Sequence, residues 1–300
     1  LAKLLFSKLQ YDFRFVLLRN FGLLCELNLL LATFYLILAV YRTDYHVHSL
    51  FSDGSALPED YVAPAIAAGL REIGFSEHFT LIREALDWSM NSTEVGNYLR
   101  HIRTLKENTQ GIKVKTGLEI DYFPGKEEEI GSYIKQSGLD YAIGSVHYLG
   151  NSTVDLGPEF YEGKNINLLF ESYFNMVKEA AASGLFDIIA HCDLIRIYGF
   201  KPSSDQEPLY RNLAKAFKKY DVAFEVNTNG RNRPIGDFYP ERKFLKIFRE
   251  ENVPVCVNSD AHMPSRIGQY FDEAYNLLRK AGYTEMATFD RRERIMVPFR

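Results

Sequence analysis

Residues 44–78 read DYHVHSLFSDGSALPEDYVAPAIAAGLREIGFSEH. This stretch holds one strand–helix–strand unit. Residues 44–48 and 72–76 are strand-length runs, and residues 58–68 open with Pro-Glu-Asp, a favourable first helical turn. The rhythm continues to the end of the chain. Strands are predicted at 113–120, 141–147, 187–191, 223–227 and 254–258, and helices at 92–108, 165–183, 206–220, 240–251 and 266–281. The strand runs are rich in Val, Ile, Phe and Tyr and mostly apolar on both faces, as buried parallel strands are. Gly184 and Gly282 follow two of the helices as stops. Seven strand–helix units over roughly 245 residues argue for a parallel sheet closed into an α/β barrel.

The composition agrees. The 300 residues are 46% hydrophobic and 25% charged, with a formal net charge of −4. Those proportions exclude wholesale disorder, and nothing provides a broad basic surface for nucleic acid. Cys25, Cys192 and Cys256 are odd in number and far apart, which excludes a disulfide framework and fits a reducing compartment. The N-terminus stands apart. Residues 1–42 carry net charge +3 and residues 43–300 carry −7. Residues 29–41 are nearly all apolar. Three readings compete: a membrane anchor over residues 21–41, a cleaved signal peptide, or an extension outside the working protein. Glu26 and Asn28 count against the anchor, and no small-x-small cleavage site follows the apolar run. The expected division is therefore a 1–42 extension and a 43–300 barrel. The protein is expected in the cytoplasm, or at a membrane only if residues 21–41 form a genuine anchor.

The histidines point to chemistry. Six of the seven, His46, His48, His78, His147, His191 and His262, stand at or just past the C-terminal end of a predicted strand. In a parallel α/β barrel those ends form the active-site face. His101 sits mid-helix and is expected on the surface. His46 and His48 are two apart on a strand and face one side, so both can bind one ion. Asp53, in a Ser-Asp-Gly turn, brings a carboxylate back over the strand end. Glu119 ends the third strand, where one carboxylate can bridge two cations. Asp260 and His262 end the seventh and again share a face. Mixed imidazole and carboxylate ligands suit zinc, manganese or iron(II).

These residues, in this order, resemble the polymerase-and-histidinol-phosphatase (PHP) superfamily. The stretches 191–199 (HCDLIRIYG) and 225–240 (EVNTNGRNRPIGDFYP) look like its histidinol-phosphatase branch. The resemblance covers about residues 43–288 and implies a distorted (β/α)7 TIM-like barrel holding three divalent metal ions. Carried over by position, His46, His48, Glu119 and Asp260 hold one ion. Glu119, His147 and His191 hold the second, and Asp53, His78 and His262 the third. The implied reaction is hydrolysis of histidinol phosphate in histidine biosynthesis. Glu119 is then the catalytic bridging carboxylate, and Asp260 or His262 helps the leaving alkoxide gain a proton.

The substrate is expected to be a small phosphomonoester, with no nucleic acid partner. Arginine forks match phosphate oxygens, which nominates Arg196, then Arg233, then Arg231 and Arg266. Glu225 and Asn227 could receive the imidazole and ammonium of the substrate. Glu225 has a second reading, as a group orienting a metal ligand. Two alternatives stand beside the phosphatase. One is a related phosphoesterase acting on nucleotides or oligonucleotide ends. The other is a non-catalytic accessory module, which predicts lost ligands; here the set is complete.

Overall fold

The computed structural model describes residues 41–81 and 87–299. In chain order the elements are β1 (Thr43–Asp44), α1 (Pro58–Ala67), β2 (Glu72–Phe79), α2 (Val95–Asn108), β3 (Lys113–Asp121), α3 (Glu127–Ser137) and β4 (Ile143–Ser145). There follow β5 (Tyr148–Leu149), β6 (Ser152–Thr153), α4 (Ile166–Ala182), β7 (Ile188–Ile189), α5 (Glu207–Tyr220) and β8 (Ala223–Asn227). The last are α6 (Leu245–Glu250), β9 (Val255–Asn258), α7 (Phe271–Ala281), β10 (Glu285–Asp290) and β11 (Glu293–Pro298).

Seven strands lie side by side in the order β1-β2-β3-β4-β7-β8-β9, and every neighbouring pair is parallel. The outer two meet just past their ends. Val47 bridges Ala261 in parallel, with His48 N donating to Ala261 O at 2.9 Å and Ala261 N to His46 O at 3.2 Å. The sheet thus closes into the seven-stranded barrel expected from the sequence, with a helix after every barrel strand. The helices pack through narrow apolar stripes. In α5 the buried residues Tyr210, Leu213, Ala214 and Phe217 recur at helical spacing, as do Phe271, Ala274, Tyr275 and Leu278 in α7.

Several barrel strands are shorter than predicted, and the reason bears on the site. Near their C-terminal ends, backbone N–H groups turn from the ladder to side-chain acceptors. Tyr45 N donates to Asn258 Oδ1 at 2.9 Å, Ser259 N to Asp44 Oδ1 at 2.9 Å, and His191 N to Glu225 Oε1 at 2.9 Å. Polar side chains inside the barrel mouth replace strand pairing there.

Lower down, the barrel is filled by Tyr45, Tyr141, Ile143, Ile188, Ala190, Ala223 and Cys256. The Tyr141 hydroxyl donates to Tyr45 O at 2.6 Å and Phe75 O at 3.1 Å. Its ring lies flat across Gly74 and Gly117, where any Cβ would overlap it. A side chain at either glycine would have to displace a fully buried tyrosine.

Besides the short β5–β6 hairpin, α3 and the terminal hairpin escape the sequence reading. In α3 only Ile130 and Ile134 are buried, too thin a stripe to stand out among charges. The β10–β11 hairpin closes the N-terminal end of the barrel. Ala287 and Phe289 enter the core, and Arg292 and Asp290 pair with Asp187 and Lys115 at the strand starts.

Residues 1–40, with the apolar run and Cys25, lie outside the described residues, and so do the anchor and signal-peptide readings. Tyr41 and Arg42 already rest on the barrel. The Tyr41 hydroxyl donates to Glu72 Oε1 at 2.6 Å, and Arg42 pairs with Asp272. Among the described residues no helix is long and apolar enough to cross a membrane. Cys192 and Cys256 are buried and free.

Candidate metal centre

The closed barrel brings nine side chains from six strand ends to one place. His46 and His48 follow β1, His78 lies near the end of β2, and Glu119 near the end of β3. His147 and His191 stand two residues past β4 and β7, and Asp260 and His262 follow β9. Asp53 arrives by a tight turn. Glu77, fully buried beside His78, accepts from Ser49 N at 3.0 Å and from the Ser49 and Ser52 hydroxyls at 2.6 and 2.5 Å. Gly54 passes so close to the His48 carbonyl that a Cβ would overlap it. Together these fold residues 49–54 back over the barrel mouth.

Glu119 is the hub, and it is 1% exposed. One carboxylate oxygen, Oε1, lies 3.0 Å from His191 Nε2 and 3.7 Å from His147 Nε2. The other, Oε2, lies 2.8 Å from His78 Nδ1, 3.0 Å from His46 Nε2 and 3.4 Å from His48 Nε2. Asp260 Oδ1 sits 3.4 Å from His48 Nε2 and 3.8 Å from His46 Nε2. Asp53 reaches His262 Nε2 at 3.2 Å and His78 Nε2 at 3.7 Å. Four overlapping groups have ligand atoms within 4.8 Å of one another: His48, Asp53, His78 and His262; His46, His191 and Asp260; His46, His48 and Glu119; and His78, Glu119 and His147.

The donor set fits divalent cations. His46 Nε2, both ring nitrogens of His48 and Glu119 Oε2 are buried with no hydrogen bond of acceptable geometry. Native interiors rarely tolerate such orphans, and imidazole nitrogens and carboxylate oxygens converging on one place are what a cation requires.

The charges respond strongly to this crowding. Burial works against the Glu119 carboxylate, but the His46 and His78 imidazoles, with a hydrogen bond from His191, hold it well below the usual range. Asp260 is depressed in the same way by His46 and His48. Burial and the neighbouring His78 and His262 push His48 down to about 3. Burial opposes the charge on His78 and His147, yet Glu119 and Asp53 carry His78 up to about 9, and Asp121 carries His147 up to about 10. Those two imidazoles hold protons at neutral pH, which cations displace on binding.

A second layer orients the first. Glu225 is fully buried beneath the centre. Its Oε2 lies 3.0 Å from His46 Nδ1 and accepts from Asn258 Nδ2 at 2.8 Å. Its Oε1 accepts from His191 N at 2.9 Å and Asn227 Nδ2 at 2.7 Å. Asp121 holds His147 Nδ1 at 2.8 Å. Carboxylates behind imidazoles in this way fix the tautomer and raise ligand basicity.

Above the centre opens a cavity of about 160 Å³. Asp53, His78, His147, His191, Asp260 and His262 form its floor. The rest of its lining is Trp88, Leu156, Leu194, Ile197, Tyr239, Thr153, Asp155 and Arg233.

Of the four expected substrate contacts, only Arg233 lines this cavity. Arg196 is buried beside it and committed: Nη1 donates to Asp193 Oδ2 at 2.8 Å and Phe238 O at 3.2 Å, and Nη2 to Asp237 at 3.3 Å. The Asp193–Arg196 spacing of three was the sequence signal for a structural pair. Glu225 and Asn227 lie a layer too deep to meet a substrate. Asn227 is fully buried, with Nδ2 on Glu225 and Asp260 and Oδ1 on Asn229 N. Arg231 donates to Gly236 O, and Arg266 approaches Gln269; neither lines the cavity. His101 is half-buried rather than exposed, 2.8 Å from Glu59 and edge-on to Phe51. Sequence reasoning missed Asp121, Asp155 and Trp88. Trp88 is the single tryptophan of the chain and meets His78 edge-on at 5.2 Å.

The comparisons with known proteins agree with this geometry. A "Probable histidinol-phosphatase" of Deinococcus radiodurans is 32% identical over 80% of this chain and 93% of its own length. A histidinol-phosphatase of Lactococcus lactis is 30% identical over 83% of this chain and 94% of its own. A crystal structure of histidinol phosphate phosphatase from Lactococcus lactis, complexed with zinc, L-histidinol and phosphate, superposes with a TM-score of 0.73. It is 27% identical and covers 85% of this chain and 98% of that one. The PHP domain model matches residues 44–229, which supply seven of the nine converging side chains. A match of that extent, over the residues that build the site, makes this chain a member of the PHP domain family.

Proposed function

We propose that this protein is a metal-dependent phosphomonoester hydrolase that converts histidinol phosphate to histidinol and phosphate, acting in the cytoplasm in histidine biosynthesis. The observation that carries the reading is the convergence of nine imidazole and carboxylate groups beneath one small cavity. The likeness to a relative solved with zinc, L-histidinol and phosphate supports the choice of substrate.

In this reading the centre holds three ions of zinc, manganese or iron(II). His46, His48, Glu119 and Asp260 take one; Glu119, His147 and His191 the second; Asp53, His78 and His262 the third. Such ions make hydroxide available near neutral pH and offset charge on the phosphoryl oxygens. The protein does the rest. Glu119 presents one oxygen to each of two ligand groups, so it sets their spacing. Glu225 and Asp121 lock His46 and His147 in the orientation that ligation needs. Arg233 places a guanidinium at the cavity, where it can pair with phosphate oxygens. His262 lies 3.6 Å from Asp260 and is the most exposed of the nine after Asp53. That pair is placed to pass a proton to the leaving alkoxide. Trp88, Leu156, Leu194 and Ile197 exclude water from the remaining wall.

The test is kcat/KM for histidinol phosphate with manganese or zinc supplied, beside a nucleotide panel and p-nitrophenyl phosphate. The expected value is about 10⁴ M⁻¹s⁻¹ or more, typical of a dedicated enzyme, and far above the panel. Weak, flat rates across all substrates would overturn the substrate assignment and move the nucleotide reading to first place.

A further inference from the structure

Among the described residues three carboxylates line the cavity: Asp53, Asp155 and Asp260. Asp53 and Asp260 are engaged with the imidazoles of the centre. Asp155 belongs to no ligand group, and among the described residues its carboxylate has neither an ion pair nor a hydrogen bond. Its half-buried side chain shares the cavity lining with Leu194 and Ile197 and with Thr153 and Arg233. The carboxylate is open to the cavity, where its charge bears on the His147 imidazole and where a cationic group of a ligand can meet it.

The backbone that carries Asp155 is fixed. Val154 N donates to His147 O at 2.8 Å, so the segment is tied to a centre-forming residue. The buried Tyr161 hydroxyl bridges Val154 O at 2.9 Å and Ile195 O at 3.0 Å. The Tyr198 hydroxyl donates to Asp155 O itself. The Tyr161 bridge and the Tyr198 bond thus hold residues 154–155 against the 195–198 segment, and the carboxylate needs no loop rearrangement to meet a ligand. Pre-organisation of this kind is what a specificity contact requires.

We propose that Asp155 selects phosphomonoesters whose leaving group carries a positive charge, receiving a protonated amine or imidazole while the phosphate lies at the centre. The inference rests on the phosphatase reading above and adds the group that recognises the organic half of the substrate. It supplies the carboxylate that Glu225 is too deep to offer. Among the described residues Arg233 is the only Lys or Arg on the cavity wall, and Asp155 is the one carboxylate there outside the ligand groups. That pattern suits a zwitterionic ester better than a nucleotide, whose leaving group is neutral or anionic.

The experiment compares the full-length metal-loaded protein with Asp155→Asn, an isosteric change on a half-buried loop. Three substrates are used: histidinol phosphate, 3-aminopropyl phosphate and p-nitrophenyl phosphate. Metal content and circular dichroism are recorded for both proteins. The expected result is a loss of about 10- to 100-fold in kcat/KM for both cationic esters, the scale of a hydrogen bond to a charged group. The loss for p-nitrophenyl phosphate stays within about threefold, on the same scale. Equal losses on all three substrates, or no loss on the cationic two, would overturn the proposal. The two readings fail separately. If the native protein hydrolyses histidinol phosphate well and Asp155→Asn does too, only the role of Asp155 falls. If the native protein prefers another cationic ester and Asp155→Asn loses it, the histidinol assignment falls and Asp155 stands.

Discussion

Replacing Glu119 with Gln lowers kcat/KM for any phosphomonoester by at least about 10³-fold, a loss of roughly 4 kcal/mol of transition-state stabilisation. The side chain keeps its shape and loses its charge. Its two oxygens face different imidazole groups: His191 and His147 on one, His46, His48 and His78 on the other. The Ser145 hydroxyl also donates to Oε1. An amide can present only one acceptor, and its NH₂ group must point at ring nitrogens or at that hydroxyl. In the proposed centre two cations could then no longer share it. Steady-state kinetics, run with elemental analysis of the same sample, check this. Full activity in Glu119→Gln with full metal content would remove the bridging role.

Glu225→Gln acts differently. The variant loses about 10- to 100-fold in metal affinity, the usual effect of breaking a carboxylate–histidine–metal relay. All four partners of Glu225 can donate, namely His46 Nδ1, His191 N, Asn227 Nδ2 and Asn258 Nδ2. A glutamine placed there sets its own NH₂ against some of them. KM for substrate, measured at saturating metal, changes little, because Glu225 is walled off from the cavity. The opposite split, an increase in KM with metal affinity intact, would return Glu225 to the substrate contacts and show the orienting role to be wrong. Competition with a chelator measures the metal affinity.

The barrel was legible because its signals are local. The helices α5 and α7 announce themselves by buried residues at helical spacing, and β2, β3 and β8 by short runs rich in Val, Ile and Phe. In α3 two isoleucines are the whole buried stripe, and the terminal hairpin is recognisable only once the open end of the barrel it covers is known. Within the site, the meeting of nine side chains could be foreseen from their places at strand ends. Depth could not. Glu225 and Asn227 point inward with the same alternation as a true cavity residue, and only the three-dimensional barrel shows that His46 and Asp260 lie above them. Arg196 misled for a related reason. Of its three acidic partners, Asp193, Asp237 and Glu241, only Asp193 is near in sequence; the other two come from a loop some forty residues away, so how fully its charge is engaged does not show. Asp155 was silent because it follows the short β5–β6 hairpin, whose strands are two residues each and leave no periodic pattern.

The central claim is that these nine side chains form one metal centre on which turnover depends. It is tested most directly by titrating zinc or manganese into chelator-stripped protein while reading bound metal by elemental analysis and kcat for histidinol phosphate on the same samples. The account predicts no turnover in the stripped protein and full turnover with about three ions bound per chain, protons being released as they enter. Full turnover in metal-free protein, or at a single bound ion, would contradict it.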